Sequence, residues 1–245
     1  MTSVASDLSR LEIALGSGIC FRYNYDAGGN VTWSEETITS TRIVTYAYDV
    51  TSRLQTSKVD VEAATWYYRF DSNGNLVEMT PNGTNPANGA IRYTYNVANQ
   101  LNKVETHNGS AYSILAQMAY DGIGSRVVLT GWVSGVAYTT TYATRIASKV
   151  QILQATSDAN STSYLYGLNQ IGEFGSQSVY YLMDGAGSVR HLVDPNGAVK
   201  LARMYEPFGQ MLMQAGTGDP IYNYLGAQID NYIKLLFLRA RYLLR

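Results

Sequence analysis

The chain has 245 residues, of which 46% are hydrophobic and only 15% charged, with 21 Tyr against 5 Phe and 22 Gly. That composition supplies a buried core and suits strands and turns better than long helices. The formal net charge of -1 provides no positive field for nucleic acid, the single Cys20 rules out an internal disulfide or a cysteine zinc site, and no stretch is apolar and long enough to span a membrane or direct export.

In chain order, one unit keeps returning. Asp7 to Leu11 reads as the end of a first copy. Tyr23-Asn24-Tyr25-Asp26 then runs into Gly28-Gly29-Asn30-Val31, and Tyr46-Ala47-Tyr48-Asp49 into Ser52-Arg53-Leu54. Tyr68-Arg69-Phe70-Asp71 runs into Asn73-Gly74-Asn75-Leu76, and Tyr93-Thr94-Tyr95-Asn96 into Asn99-Gln100-Leu101. Ala119-Tyr120-Asp121 leads to Gly124-Ser125-Arg126. The turn openings at 7, 26, 49, 71, 96 and 121 are 19 to 25 residues apart. The step to the weaker Tyr164-Leu165-Tyr166-Gly167 leaves room for a degraded unit near Tyr142. Two flavours of turn alternate, one with glycine at its tip and one without.

Tyrosines two apart share a strand face, because side chains alternate along a strand. Asp or Asn opens a turn by accepting hydrogen bonds from the backbone just ahead, and Gly supplies the positive φ of a tight reversal. Each unit is therefore expected to be one β-hairpin. The fold class is all-β: a curled antiparallel sheet of such hairpins, since about twenty strands cannot stay flat in one open sheet. A β-sandwich is the competing architecture.

The repeats resemble the YD/RHS repeat family. From Tyr180 the sequence YYLMDGAGSVRHLVDPNGAVKLARMYEPFGQ is similar to that family's RHS repeat-associated core at Tyr181, Asp184, Gly187, Ser188, Val189, Arg190, Asp194, Gly197, Tyr205, Pro207, Phe208 and Gly209, and Arg239, Arg241 and Tyr242 resemble its last core strand. The resemblance implies a segment of a spiral or hollow β-shell, with residues 1–175 as the hairpin array and 176–245 as a continuous core-like segment truncated at its C-terminus. It also implies a secreted or cell-surface parent related to teneurins and polymorphic toxins. The partners it implies are further YD repeats or an encapsulated C-terminal toxin domain, with cell-surface glycans bound by exposed tyrosines as the alternative. Some members cleave themselves with aspartates that follow the core. That pattern is missing here, and Asp219 and Asp230 lack its flanking residues, so no self-cleavage is expected.

No residue set points to catalysis, a cofactor or a metal. Ser188, His191 and Asp184 or Asp194 have the residue types of a hydrolytic triad, but neighbours on a strand and turn project to fixed, different directions. His107 precedes Asn108-Gly109, a type I′ turn signal, and is expected in an exposed loop. Asp71 to Asn75 superficially resembles a calcium loop but has Leu76 and Asn82 where an EF-hand needs Gly and Glu. Gly185-Ala186-Gly187 lacks the βαβ setting of a dinucleotide site, and the sequons at Asn30, Asn82, Asn108 and Asn160 carry meaning only in a eukaryotic secretory host. Residues 229–245 admit a membrane-surface helix with Ile229, Ile233, Leu236, Phe237, Ala240 and Leu244 on one face, or a strand in which Leu238, Ala240 and Tyr242 alternate with Arg239 and Arg241. The family resemblance favours the strand.

Overall fold

A computed structural model describes residues 2–5, 10–16, 18–83, 86–146, 150–158, 160–238 and 242–243. Two compact units are present, one made of residues 1–93 and 106–113, the other of 94–105 and 114–245.

The first unit holds β1 (Thr2–Ala5), β2 (Leu11–Gly16), β3 (Ile19–Tyr25), β4 (Val31–Thr37), β5 (Thr41–Tyr48), β6 (Leu54–Val59), β7 (Thr65–Phe70) and β8 (Leu76–Pro81). Each pairs antiparallel with the next. β9 (Ile91–Tyr95), β10 (Leu101–His107) and β11 (Tyr112–Tyr120) are divided between the units. Alternation along these strands turns Phe21, Tyr23, Val44, Val59, Met79 and Tyr93 to the buried side.

The second unit continues through β12 (Arg126–Val133), β13 (Val136–Ile146), β14 (Val150–Ser157), β15 (Asn160–Tyr166), β16 (Gln170–Phe174), β17 (Ser178–Met183), β18 (Val189–Val193), β19 (Val199–Tyr205) and β20 (Met211–Gly216), again paired in succession and antiparallel. The described residues of 128–160, where the repeat is hard to read, form long strands, with a register shift between Ala143 and Thr144, and β13 at 11 residues is the longest described. Its hairpin with β12 turns at Ser134 and Gly135, both at positive φ, so no aspartate is needed there.

After β20 come one turn of 3₁₀ helix at Tyr224–Gly226 and a small antiparallel sheet of β21 (Gln228–Asp230), β22 (Leu235–Phe237) and β23 (Tyr242–Leu243). The described residues of the C-terminal stretch are short strands and a turn rather than a helix, and of the strand read over Leu238 to Tyr242 only Tyr242 lies in one. Leu238 lies beyond β22, and Arg239, Ala240 and Arg241 fall outside the described residues. This segment lies on the strands of the second unit. Tyr232 sits on Gly131, where an added Cβ would come within 2.2 Å of the ring, and Tyr222 meets the rings of Tyr164, Tyr166 and Tyr181 edge-on. Two ordered layers thus bury Leu235, Leu236 and Phe237, each under 10% exposed.

His107 departs from its expected position. It ends β10, is buried, and meets Tyr112 edge-on at 4.8 Å. The reversal falls after it, and only Gly109 there has positive φ, so the turn is not the two-residue I′ type.

Candidate functional site

The described chemistry is concentrated in a turn that recurs with one geometry. At Asp26, Asp49, Asp71, Asn96, Asp121, Asp184 and Asp194 a side-chain oxygen accepts the backbone N–H four residues on, at 2.8–3.0 Å. The backbone closes the same loop twice. For Asp71, its N–H donates to the Asn75 carbonyl at 2.9 Å and its own carbonyl accepts from Gly74 at 3.1 Å. The residue at the fourth position has positive φ in every case: Gly29, Gly74, Gly124, Gly187 and Gly197, but also Ser52 and Asn99. The two flavours of turn are one structure, in which Ser or Asn accepts the left-handed conformation that glycine takes more easily.

An eighth copy escaped the sequence reading. In Tyr205-Glu206-Pro207-Phe208-Gly209-Gln210 the longer carboxylate of Glu206 reaches the N–H of Gln210 at 2.9 Å, taking the place of aspartate. Gly209 has φ 103°, and an added Cβ would lie 2.5 Å from the Tyr224 ring, so both conformation and space require glycine. Pro207 offers its carbonyl to the Tyr224 hydroxyl at 2.6 Å, while Phe208 is exposed.

These hydrogen bonds act on the carboxylates. Contacts from Asn30 hold Asp26 below the usual aspartate range, and those from Asn75 do the same for Asp71. Asp49 is lowered mainly by the N–H of Arg53 and Asp194 mainly by that of Ala198. An ionised acceptor is what such a turn prefers.

Where a tyrosine precedes a turn, it can have a role that alternation alone did not reveal. The hydroxyl of Tyr48 donates to the carbonyl of Val31 at 2.9 Å, and that of Tyr25 to Leu11 at 2.5 Å. In the second unit Tyr120 donates to Leu101 at 2.7 Å, Tyr166 to Ile152 at 2.8 Å, and Tyr205 to Val189 at 3.0 Å. In three of these ties the acceptor opens the strand just past the preceding turn on that side, five residues after Asp26, Asn96 or Asp184. Each phenol therefore joins one hairpin to the previous one. Phe70 occupies the same position with no hydroxyl to donate, and Tyr95 occupies it before Asn96.

Within the core-like motif, Ser188 is buried and its Oγ accepts from the Leu225 N–H at 3.0 Å, while its own N–H is held by Asp184. His191 lies opposite the exposed Leu182 across the ladder. Ser188 and His191 are thus committed to separate surroundings and no nucleophile–base pair is assembled. Val189 is fully buried, its N–H donating to Asn223 at 3.1 Å, and Arg190 lies 5.7 Å from the Tyr205 ring centre. Tyr181 is buried and donates to Glu173 at 2.5 Å; burial pushes that carboxyl upward.

A second cluster was invisible in the sequence. Arg126 and Asp230, 104 residues apart and at most 2% exposed in their side chains, form an ion pair joining β12 to β21. Arg126 also donates to Tyr242 at 2.9 Å and to Gln228 at 2.7 Å, and its guanidinium stacks 4.4 Å from the Phe237 ring centre. Among the described residues no group of three His, Cys, Asp or Glu side chains could hold a metal, and no helix is long and apolar enough to cross a membrane.

Repeating hairpins with one turn chemistry, tied phenol to carbonyl, define the class: an all-β array of hairpin repeats. Residues 7–88 match the model of the teneurin YD-shell family, in agreement with the resemblance carried by the repeats. No curated protein sequence matches the chain. Among solved structures, a TccC3-mutant form of the Photorhabdus luminescens Tc holotoxin pore matches all of this chain at 13% identity with a TM-score of 0.50, and the chain covers 17% of that protein. The TcdB2-TccC3-Cdc42 structure matches 98% of the chain at 15% identity and a TM-score of 0.49, over 16% of its own length. The first of these likenesses shows a shared fold, and the chain spans about a sixth of the length of the proteins it matches.

Proposed function

We propose that this chain is a wall segment of a hollow β-shell in a secreted or cell-surface RHS/YD-repeat protein of the polymorphic-toxin type, a scaffold with no catalysis of its own. The observation that carries the reading is the set of five phenol-to-carbonyl ties, because they spend the tyrosines on holding successive hairpins together. Residues 1–175 serve as the hairpin array and 176–245 as the core-like segment continuous with it. The partners are further YD repeats of the parent protein or a toxin domain enclosed by them.

The alternative, a glycan platform of exposed tyrosine rings, has less support: of 21 tyrosines only Tyr67, Tyr138 and Tyr180 are exposed. Electron microscopy of the protein encoded by the complete reading frame tests the proposal. A hollow particle with this segment in its wall is expected; a solid globule or an extended fibre would overturn it.

A further inference from the structure

The second unit contains a partly enclosed cleft of about 100 Å³ between β14–β16 and the C-terminal segment. Three carboxamides line it, and each uses one end on the protein. Gln151 accepts from Arg145 Nε at 2.7 Å, Gln228 accepts from Arg126 at 2.7 Å, and Gln170 donates to the Gly226 carbonyl at 3.3 Å. Because the arginines can only donate and the carbonyl can only accept, the orientation of each amide is fixed by chemistry. The amide nitrogens of Gln151 and Gln228 and the oxygen of Gln170 have no partner among the described residues. Among the described residues the remaining lining is aromatic or apolar, including Tyr222, Leu225 and Phe237, and none of it is charged.

Two free amide donors and one free acceptor, set in an uncharged and partly apolar cleft, are the complement of a secondary amide. Its carbonyl takes two hydrogen bonds and its N–H gives one. We infer that the cleft binds the acetamido group of an N-acetylated amino sugar. A water occupies about 30 Å³ in the liquid, so the cleft has room for a group of a few heavy atoms. An acetamido group ends in a methyl, which Leu225 and Phe237 can cover, whereas a backbone amide must continue in both directions. The sugar ring stays at the rim with its hydroxyls in water, and no apolar channel is needed of the kind an acetylated lysine stem would fill. This site is independent of the shell reading, and it uses amides where the tyrosine-platform alternative would use exposed rings.

The test is protein-observed NMR titration of the intact chain with N-acetylglucosamine, glucose and N-acetyl-lysine in parallel, repeated on Gln170→Met. The inference expects shifts confined to residues of the cleft, with N-acetylglucosamine binding at least about tenfold more tightly than glucose, and a loss of about tenfold in Gln170→Met at unchanged circular dichroism. Equal binding of glucose, tighter binding of N-acetyl-lysine, or no saturable shift with N-acetylglucosamine would overturn it. If Gln170→Met fails to fold, the comparison of ligands on the unaltered chain decides alone.

Discussion

The Tyr48 hydroxyl donates to the Val31 carbonyl at 2.9 Å, and through that contact the hairpin of β5 and β6 is fastened to the hairpin of β3 and β4. Tyrosine exceeds phenylalanine fourfold in this chain, and the tie gives the reason: a phenylalanine could fill the same space but would leave a carbonyl without its donor. Tyr48→Phe should therefore cost about 1 kcal/mol in urea unfolding with an unchanged denaturant slope. Burial, reinforced by the neighbouring phenol of Tyr46, pushes the Tyr48 hydroxyl up to about 12. Because the folded value is raised, the stabilisation is whole below the ordinary tyrosine value of about 10 and is lost as pH rises towards 12. Tyrosinate absorbance in an alkaline titration should show a late, cooperative fraction that shrinks in the variant.

The aspartate turns make the opposite demand. Asp26, Asp49, Asp71 and Asp194 are all held below the ordinary carboxylate value by the hydrogen bonds they accept. With the folded values depressed, their contribution is fully present above about pH 4 to 5 and is lost as pH falls through the folded values. Thermal stability should decline steadily below about pH 4, and Asp71→Asn, which keeps the acceptor but cannot titrate, should flatten that decline. An unchanged acid profile in a variant carrying Asn at all four positions would show that the turns do not set it.

The buried pair of Arg126 and Asp230 should behave as a locking unit. Removing one partner leaves an uncompensated charge in the interior, so Arg126→Met alone should destabilise by about 3 to 5 kcal/mol. The double variant Arg126→Met with Asp230→Leu should recover a large part of that loss. A double-mutant cycle read by chemical denaturation checks the coupling; purely additive losses would mean the two charges act separately.

The same pairing bears on self-cleavage. An aspartic dyad needs two carboxylates sharing a proton, whereas Asp230 is engaged by a guanidinium and Asp219 accepts from Asn231 at 2.6 Å. The purified chain should keep its mass of 27.0 kDa through prolonged incubation at neutral and mildly acidic pH. Intact mass spectrometry would reveal a discrete fragment pair if this is wrong, and loss of that pair in Asp230→Asn would identify the cause.

What the sequence made legible is what local chemistry dictates. An aspartate such as Asp71 followed by Gly74 builds its turn from five consecutive residues, so the hairpins could be read off the chain directly. Glu206 was passed over because the longer carboxylate breaks the pattern without changing the geometry. Residues 128–160 were obscure because the Ser134-Gly135 reversal relies on positive φ alone. Tyr48 was recognised as a strand residue, but its acceptor is 17 positions away, and Arg126 meets Asp230 across 104. Contacts at that separation leave no periodic trace. The three glutamines of the cleft are likewise scattered, and nothing at the level of sequence spacing unites Gln151, Gln170 and Gln228.

Native-state hydrogen exchange of Tyr205→Phe tests most directly whether the repeats are tied into one wall. Tyr205 belongs to the hairpin of β19 and β20, while its acceptor Val189 begins the second strand of the hairpin formed by β17 and β18. If the phenol couples them, its removal lowers amide protection in both hairpins together, by about 1 kcal/mol in opening free energy. Loss of protection confined to β19 and β20, with β17 and β18 exchanging as before, would contradict the account.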